Sequence, residues 1–241
     1  VFLPFRAHYI KGDPFMFTTR RPIIWISIFL FLTGCKLDFS ANLNIGDLNR
    51  VALSKQEGIL SSGTIKFEVG SMANCGDESG FFSSVLEKHF LDFKILPCEQ
   101  IGLESYFVAG IKIPVLHSHI DWPAKTNSLI ALQSSPSRKI GGVDVELLLN
   151  QARFRKINKE VEAKYFQKFE LSRIGIVLKN DQVAYQDVLA SDVFVDGLPV
   201  VELKAFGLSQ GKSLLLELSD VKQEFFSLYN RVTMFSLVLS I

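Results

Sequence analysis

The segment KLDFSANLNI, residues 36–45, decides the fold class because apolar and polar side chains alternate along it. Its apolar members fall on one face of an extended chain: Leu37, Phe39, Ala41, Leu43 and Ile45. Successive side chains of a strand point to opposite faces, so this pattern predicts a strand that is buried on one face.

Further strand patterns follow this segment along the chain. Residues 62–69 place Ile65, Phe67 and Val69 on one face, and residues 107–115 are rich in β-branched and aromatic side chains. Shorter apolar runs predict additional strands at 93–96, 101–116, 129–132, 143–149, 171–178, 183–189, 193–195, 200–206 and 214–218. The Gly, Asn, Ser and Asp residues of 70–80 are typical of a loop.

Three segments carry apolar residues at helical spacing instead. They are residues 81–90, residues 155–169, and a segment after Ser219 with the stripe Val221, Phe225, Leu228, Tyr229 and Val232. We therefore predict an α+β domain with a mostly antiparallel sheet and about three packed helices.

The N-terminal part has a different composition. Residues 22–32 form an apolar run without a charge, which is shorter than the about 20 residues that span a bilayer. Arg20 and Arg21 precede this run, and Leu-Thr-Gly-Cys follows at residues 32–35. Basic residues, an apolar core and this tetrapeptide, in this order, resemble the signal peptide and lipobox of bacterial lipoproteins.

The resemblance implies that residues 16–34 are a signal peptide and that the mature domain is residues 35–241. The Cys35 thiol would receive a diacylglyceryl group, and its new amino terminus an acyl chain such as palmitate. Lys36, where an Asp would resemble an inner-membrane retention signal, implies the outer membrane in a cell that has one. The domain would face the periplasm or the cell surface. We interpret residues 1–15, before Met16, as an upstream extension.

Cleavage would change the charge balance of the chain. The whole sequence has 26 Lys+Arg and 25 Asp+Glu, and the first 34 residues contain four of the basic and one of the acidic residues. The mature domain would then carry 22 basic and 24 acidic residues. This balance argues against a nucleic-acid partner, because such binding depends on neutralising phosphates. Fifteen of the 21 Phe remain, which indicates a Phe-rich core or an apolar groove.

Two cysteines, Cys75 and Cys98, would remain beside the acylated Cys35. In an exported protein an isolated pair is typical of a disulfide. Two buried free thiols or metal ligands are the alternatives, although the sequence has no Cys-x-x-Cys spacing.

Candidate chemistry is confined to short patterns. In an extended segment His117, His119 and Asp121 would project to one side, as weak candidates for metal ligands or a catalytic base; the alternative is a solvated loop. His89 lies on the stripe of residues 81–90, and we expect it at the edge of the core with a backbone partner. The basic stretch 153–168 is either a solvated helix face or a contact for anionic lipid headgroups.

These patterns together predict a lipid-anchored envelope protein that is not an enzyme. We expect it to bind an envelope protein or an apolar ligand, with the membrane as a partner through the anchor and no cofactor beyond the lipid. The alternative is a metal-assisted hydrolase that uses the loop of His117, His119 and Asp121.

Overall fold

The structure is a computed structural model that describes residues 35–54, 58–122, 126–137, 141–166 and 168–238. The predicted upstream extension and signal peptide, residues 1–34, lie outside the described residues, as does the Cys35 side chain. The described strands and helices all belong to one compact unit, residues 34–241.

Strands dominate the described part of the chain. They are β1 Cys35–Asn44, β2 Gly58–Glu68, β3 Leu91–Ile101, β4 Glu104–His117, β5 Ile130–Pro136, β6 Val143–Leu149, β7 Phe169–Lys179, β8 Gln186–Ala190, β9 Val193–Val195, β10 Leu198–Val200, β11 Lys204–Leu208, β12 Ser213–Leu218 and β13 Arg231–Val238. The helices with described bounds are α1 Ile45–Ser54, α2 Met72–Leu86, α3 Gln151–Tyr165 and α4 Asp220–Tyr229, and a 3₁₀ turn, Glu87–His89, follows α2.

The predicted α+β class with about three helices is wrong. Strands take up 52% and helices 27% of the described residues, and all thirteen strands described belong to one sheet. The fold is therefore mostly β. Alternation along a segment identifies a strand and its buried face, but it does not say that distant strands pair into one continuous sheet.

The sheet nearly closes on itself. Its strand order is β10-β9-β12-β7-β1-β2-β4-β5-β6-β13-β8-β11. Strand β3 lies off this path and pairs with the N-terminal part of β4. The two end strands, β10 and β11, are consecutive in the chain and are joined by residues 201–203. Four Cα steps reach at most about 14 Å, so the two ends must lie close together. We call this gap the seam.

Strand directions define two ends of the sheet. β1 pairs in parallel with β7 and antiparallel with β2, which is in turn antiparallel to β4. Followed round the sheet, these directions place the start of β1 at the same end as the starts of β4, β7, β11 and β13 and the ends of β2, β6, β8 and β12. We call this the proximal end. Both α3, which joins β6 to β7, and α4, which joins β12 to β13, connect strands there, whereas α1 joins β1 to β2 at the opposite, distal end.

Phenylalanine fills much of the core. The Phe67 ring centroid lies 5.2 Å from that of Phe82 and 4.3 Å from that of Phe169, and Phe82 also packs against Phe107 and Tyr165. These rings fasten α2 and α3 to the sheet, since aromatic pairs at such distances add to the stabilisation by burial. Most of the described Phe side chains are thus buried in the core or pack against it.

Helix α2 begins earlier than the sequence predicts. Residues 72–80 are its first part, although the composition of 70–80 predicts a loop. The Ser71 hydroxyl caps the helix by accepting a hydrogen bond from the Asn74 amide, at 3.2 Å. Capping and the buried side chain of Cys75 outweigh the weak helix propensity of this Gly-rich segment.

Candidate functional site

A cleft of about 350 Å³ lies beside the seam. It is bounded by the end of β8, by β13, by α4 and by the segment that bridges β10 and β11. Its lining includes Leu203, Val221, Lys222, Phe225, Val232 and Met234.

The walls of the cleft are apolar. Val232 and Met234 are buried at its floor, while Leu203, Val221 and Phe225 are exposed at its rim. Concave, mostly apolar sites with few polar groups are typical of ligand-binding pockets. This arrangement can bind an apolar group and exclude water from it.

Lys222 supplies the cation of the cleft. Its Nζ donates a hydrogen bond to the Ser191 carbonyl oxygen at 2.5 Å, and the Ser219 hydroxyl accepts from its backbone amide at 3.3 Å. Burial lowers the pKa of the Lys222 amine, and the charge of Asp192 acts in the opposite direction. No carboxylate of the described residues forms an ion pair with this amine, but the Asp192 carboxylate lines the same cleft and partly compensates its charge.

The sequence pattern predicts the wrong buried face for α4, the helix that forms one wall of the cleft. The stripe Val221, Phe225, Leu228 and Tyr229 predicts a buried face for α4, yet all four side chains are exposed. The buried side chain is Phe226, one position away from the stripe. Helical spacing reveals an apolar face, but the connections to β12 and β13 determine which way that face points. An apolar stripe next to Lys222 was the signal available in the sequence.

The His117 loop is only partly assembled. The His119 amide donates to His117 Nδ1 at 3.2 Å, and the two ring centroids are 4.4 Å apart. Asp121 instead lines a separate cleft with Asn150 and Arg231, which neither histidine lines. No three His, Cys, Asp or Glu side chains in the described ranges are grouped so as to hold a metal ion.

The cysteines and His89 have clear places in the fold. Cys75 and Cys98 form the predicted disulfide, which ties α2 to β3. Cys35 is the first described residue and its backbone pairs with Phe169 of β7, so its lipidation stays a prediction.

His89 is buried as expected, but neither ring nitrogen has a hydrogen-bond partner among the described residues. Burial and, less strongly, the charge of Arg153 lower its pKa to about 4.

The basic stretch forms α3 and the residues that follow it at the proximal end. Arg153 is used structurally: its guanidinium donates to the Lys88 carbonyl and to Asn127 Oδ1. The remaining cations of the stretch are exposed: Arg155, Lys156, Lys159, Lys164 and Lys168. None of the helices in the described ranges combines the length and apolar composition that crossing a membrane requires.

A family model described as a domain of unknown function, DUF7424, matches residues 38–237. The chain belongs to this family. No curated protein and no solved structure matches the chain. The DUF7424 match extends from β1 to β13 and therefore includes the seam, the cleft and the disulfide, whereas Cys35 precedes it.

Proposed function

We propose that this DUF7424 protein is a lipid-anchored envelope protein, not an enzyme, that binds an apolar ligand or an apolar segment of a partner protein in the seam cleft. The observation that carries the binding role is the cleft itself, with apolar walls and one partly compensated ammonium group. A ligand with an apolar body and an anionic group fits this combination best.

Exposed apolar side chains support this role. Leu203, Val221 and Phe225 surround the cleft mouth in solvent, where they contribute nothing to the core. Contiguous apolar surface is uncommon on monomeric proteins and often marks a binding site. Covering these side chains with a ligand would remove their apolar area from water, at about 25 cal/mol per Å².

The anchor is supported by the order of residues 20–35 and by the start of the folded domain. Strand β1 begins at Cys35 itself, so the predicted acylation site adjoins the sheet without a linker. Two or more acyl chains provide stable anchoring, whereas one is marginal. Outer-membrane sorting follows from Lys36, by resemblance to bacterial lipoproteins.

Ligand binding can be tested with the full chain purified from bacterial membranes. Organic extracts and native mass spectrometry should reveal a bound apolar anion, and an anilinonaphthalene sulfonate dye should bind and be displaced by it. Leu203→Asp should weaken dye binding about tenfold, a change of about 1.4 kcal/mol. Val183→Asp, at an exposed site outside the cleft, is the control. Equal dye affinity in both variants would reject the cleft as the binding site.

Anchoring has a separate test. Cys35→Ser should abolish the mass added by acylation and release the protein from membranes. Lys36→Asp should keep the acyl groups and move the protein to the inner membrane. Unchanged mass and membrane association of the Cys35→Ser variant would reject the lipoprotein assignment.

The metal-assisted hydrolase is the alternative proposal. It has the contact between His117 and His119 in its favour, while Asp121 lies in another cleft. Zinc analysis of the purified chain and a hydrolase assay of His117→Ala separate the two proposals. Stoichiometric zinc together with an activity lost in this variant would favour the hydrolase.

A further inference from the structure

We infer that the proximal end of the domain lies against a lipid bilayer, so that apolar side chains of this end enter the boundary between headgroups and acyl chains. The inference rests on the proposed anchoring through Cys35. It adds a contact surface on the folded domain, which the anchor by itself does not require.

The position of the chain entry is the first argument. Residue 35, the proposed acylation site, begins β1 at the proximal end. A strand rises about 3.3 Å per residue, so the proximal ends of the strands next to β1 lie within a few residues' length of any membrane that holds Cys35. No described residue forms a spacer between Cys35 and the start of β1.

The hairpin between β3 and β4 projects apolar surface at this end. Ser105 is level with Val69, to which it is hydrogen-bonded, and Val69 follows β2 beside the start of β1. Leu103 lies two residues farther out, at the tip of the hairpin, and its side chain is 96% exposed. Gly102, with φ of +63°, makes the tight turn that holds Leu103 outward.

The connection between α3 and β7 also projects apolar surface at the proximal end, on the other side of β1. Phe166 caps the C-terminus of α3 in a left-handed conformation, with φ of +58°, and its side chain is 90% exposed. A bulky residue is uncommon in this conformation. Phe166 precedes by three residues Phe169, which pairs directly with the backbone of Cys35.

Helix α4 adds the largest apolar face. Its exposed stripe of Val221, Phe225, Leu228 and Tyr229 runs along a helix that joins two strands at the proximal end. An amphipathic helix of this kind can lie in the plane of the interface with its apolar face in the boundary region.

The two ends of the sheet differ in apolar exposure. Of the 17 large hydrophobic side chains that are exposed in the described residues, nine lie at the proximal end: Met72, Ile101, Leu103, Phe166, Val201, Leu203, Val221, Phe225 and Leu228. Leu53, Leu60, Val183, Tyr185 and Leu198 lie at the distal end, and Tyr229 shares a cleft with Ser118 and Asp121, which follow the distal end of β4. The end with more exposed apolar side chains is the end at which β1 starts at Cys35, as a contact with the membrane at that end requires.

The charges of this end are mixed. Five exposed cations lie on α3 and on its connection to β7: Arg155, Lys156, Lys159, Lys164 and Lys168. Exposed carboxylates lie at other proximal positions: Glu99, Glu104, Glu170, Glu202, Asp220 and Glu224. Each basic residue near an anionic bilayer contributes about 1 kcal/mol, so the α3 side is the part of this end that favours an anionic lipid surface.

The test uses the acylated full chain in vesicles of phosphatidylethanolamine and phosphatidylglycerol whose acyl chains are brominated. Trp122→Phe removes the tryptophan of the mature domain, because Trp25 leaves with the signal peptide. Single tryptophans are then placed at Leu103 and Leu228, neither of which lines the seam cleft. The matched controls are Leu60→Trp and Val183→Trp, at exposed distal sites.

We expect the bromine to reduce emission about twofold at positions 103 and 228, as for side chains within the boundary region. Emission at positions 60 and 183 should be unchanged, and aqueous iodide should quench these two positions and spare the other pair. If the protein floats with the vesicles but bromine quenches all four positions equally or none, the inference is overturned and the anchor stands. If the acylated chain does not float, the proposed anchoring itself fails.

Discussion

The buried His89 should make the stability of the fold depend on pH between about 4 and 6.5. Its side chain is 1% exposed, on the 3₁₀ turn after α2, and both ring nitrogens lack a hydrogen-bond partner among the described residues. Burial is the main reason that its pKa falls from 6.5 to about 4, and the positive charge of Arg153 adds to this effect.

The sign follows from proton uptake. Between pH 6.5 and 4 the unfolded chain protonates this histidine and the folded chain does not, so the free energy of unfolding falls as the pH is lowered through this range. Above pH 6.5 both states hold a neutral ring and the contribution is complete. One pKa unit corresponds to 1.36 kcal/mol, so lowering the pH from 7 to 4.5 should remove about 2 kcal/mol.

Urea unfolding of the wild type and of His89→Leu at pH 7 and pH 4.5 measures this contribution. The variant keeps an apolar side chain of similar size but cannot titrate, and the carboxylates of both proteins titrate alike. The wild type should therefore lose about 2 kcal/mol more than the variant over this pH interval. Equal losses in the two proteins would refute the reasoning that burial keeps His89 neutral.

Three further predictions concern the stability of the fold and are measured by the same unfolding assay. Replacing Cys75 and Cys98 together by Ser should lower the free energy of unfolding by about 3 kcal/mol, because the unfolded chain loses a cross-link; an unchanged value would mean that the bond does not form in the cell. Phe82→Ala should cost about 3–5 kcal/mol, since its buried ring contacts four other aromatic rings, whereas Val183→Ala, at a site that is 85% exposed, should change stability by less than about 0.5 kcal/mol. Asn180→Ala should cost about 2 kcal/mol or more, because this fully buried amide bonds three backbone groups; a cost below that of Val183→Ala would contradict the role.

Local patterns were enough to find many elements of the fold. The alternation of residues 36–45 corresponds to β1, and the periodicity after Ser219 corresponds to α4. Cysteine number and the predicted export signal favoured a bond between Cys75 and Cys98, which the structure contains. These features depend on neighbours in the chain or on residue type, which a single sequence contains.

The candidate site could not be found in this way. The cleft brings Leu203, Lys222 and Met234 together from three elements that are separated along the chain. Its existence depends on how β8, β13, α4 and the segment between β10 and β11 pack against one another, which no local pattern encodes. The same holds for His89, whose burial was expected. Among the described residues its ring nitrogens have no hydrogen-bond partner, which depends on the elements packed around it.

The sequence by itself located many of the strands and helices, favoured a disulfide between Cys75 and Cys98, and predicted a membrane anchor. Only the tertiary structure decided that the strands make one nearly closed sheet and that the apolar stripe of α4 faces outward. The physical reason is that side-chain periodicity specifies a face, while the partner of that face is chosen by long-range pairing and by the connections between elements. At α4 the core is covered by Phe226, and the stripe of Val221, Phe225, Leu228 and Tyr229 remains available for binding.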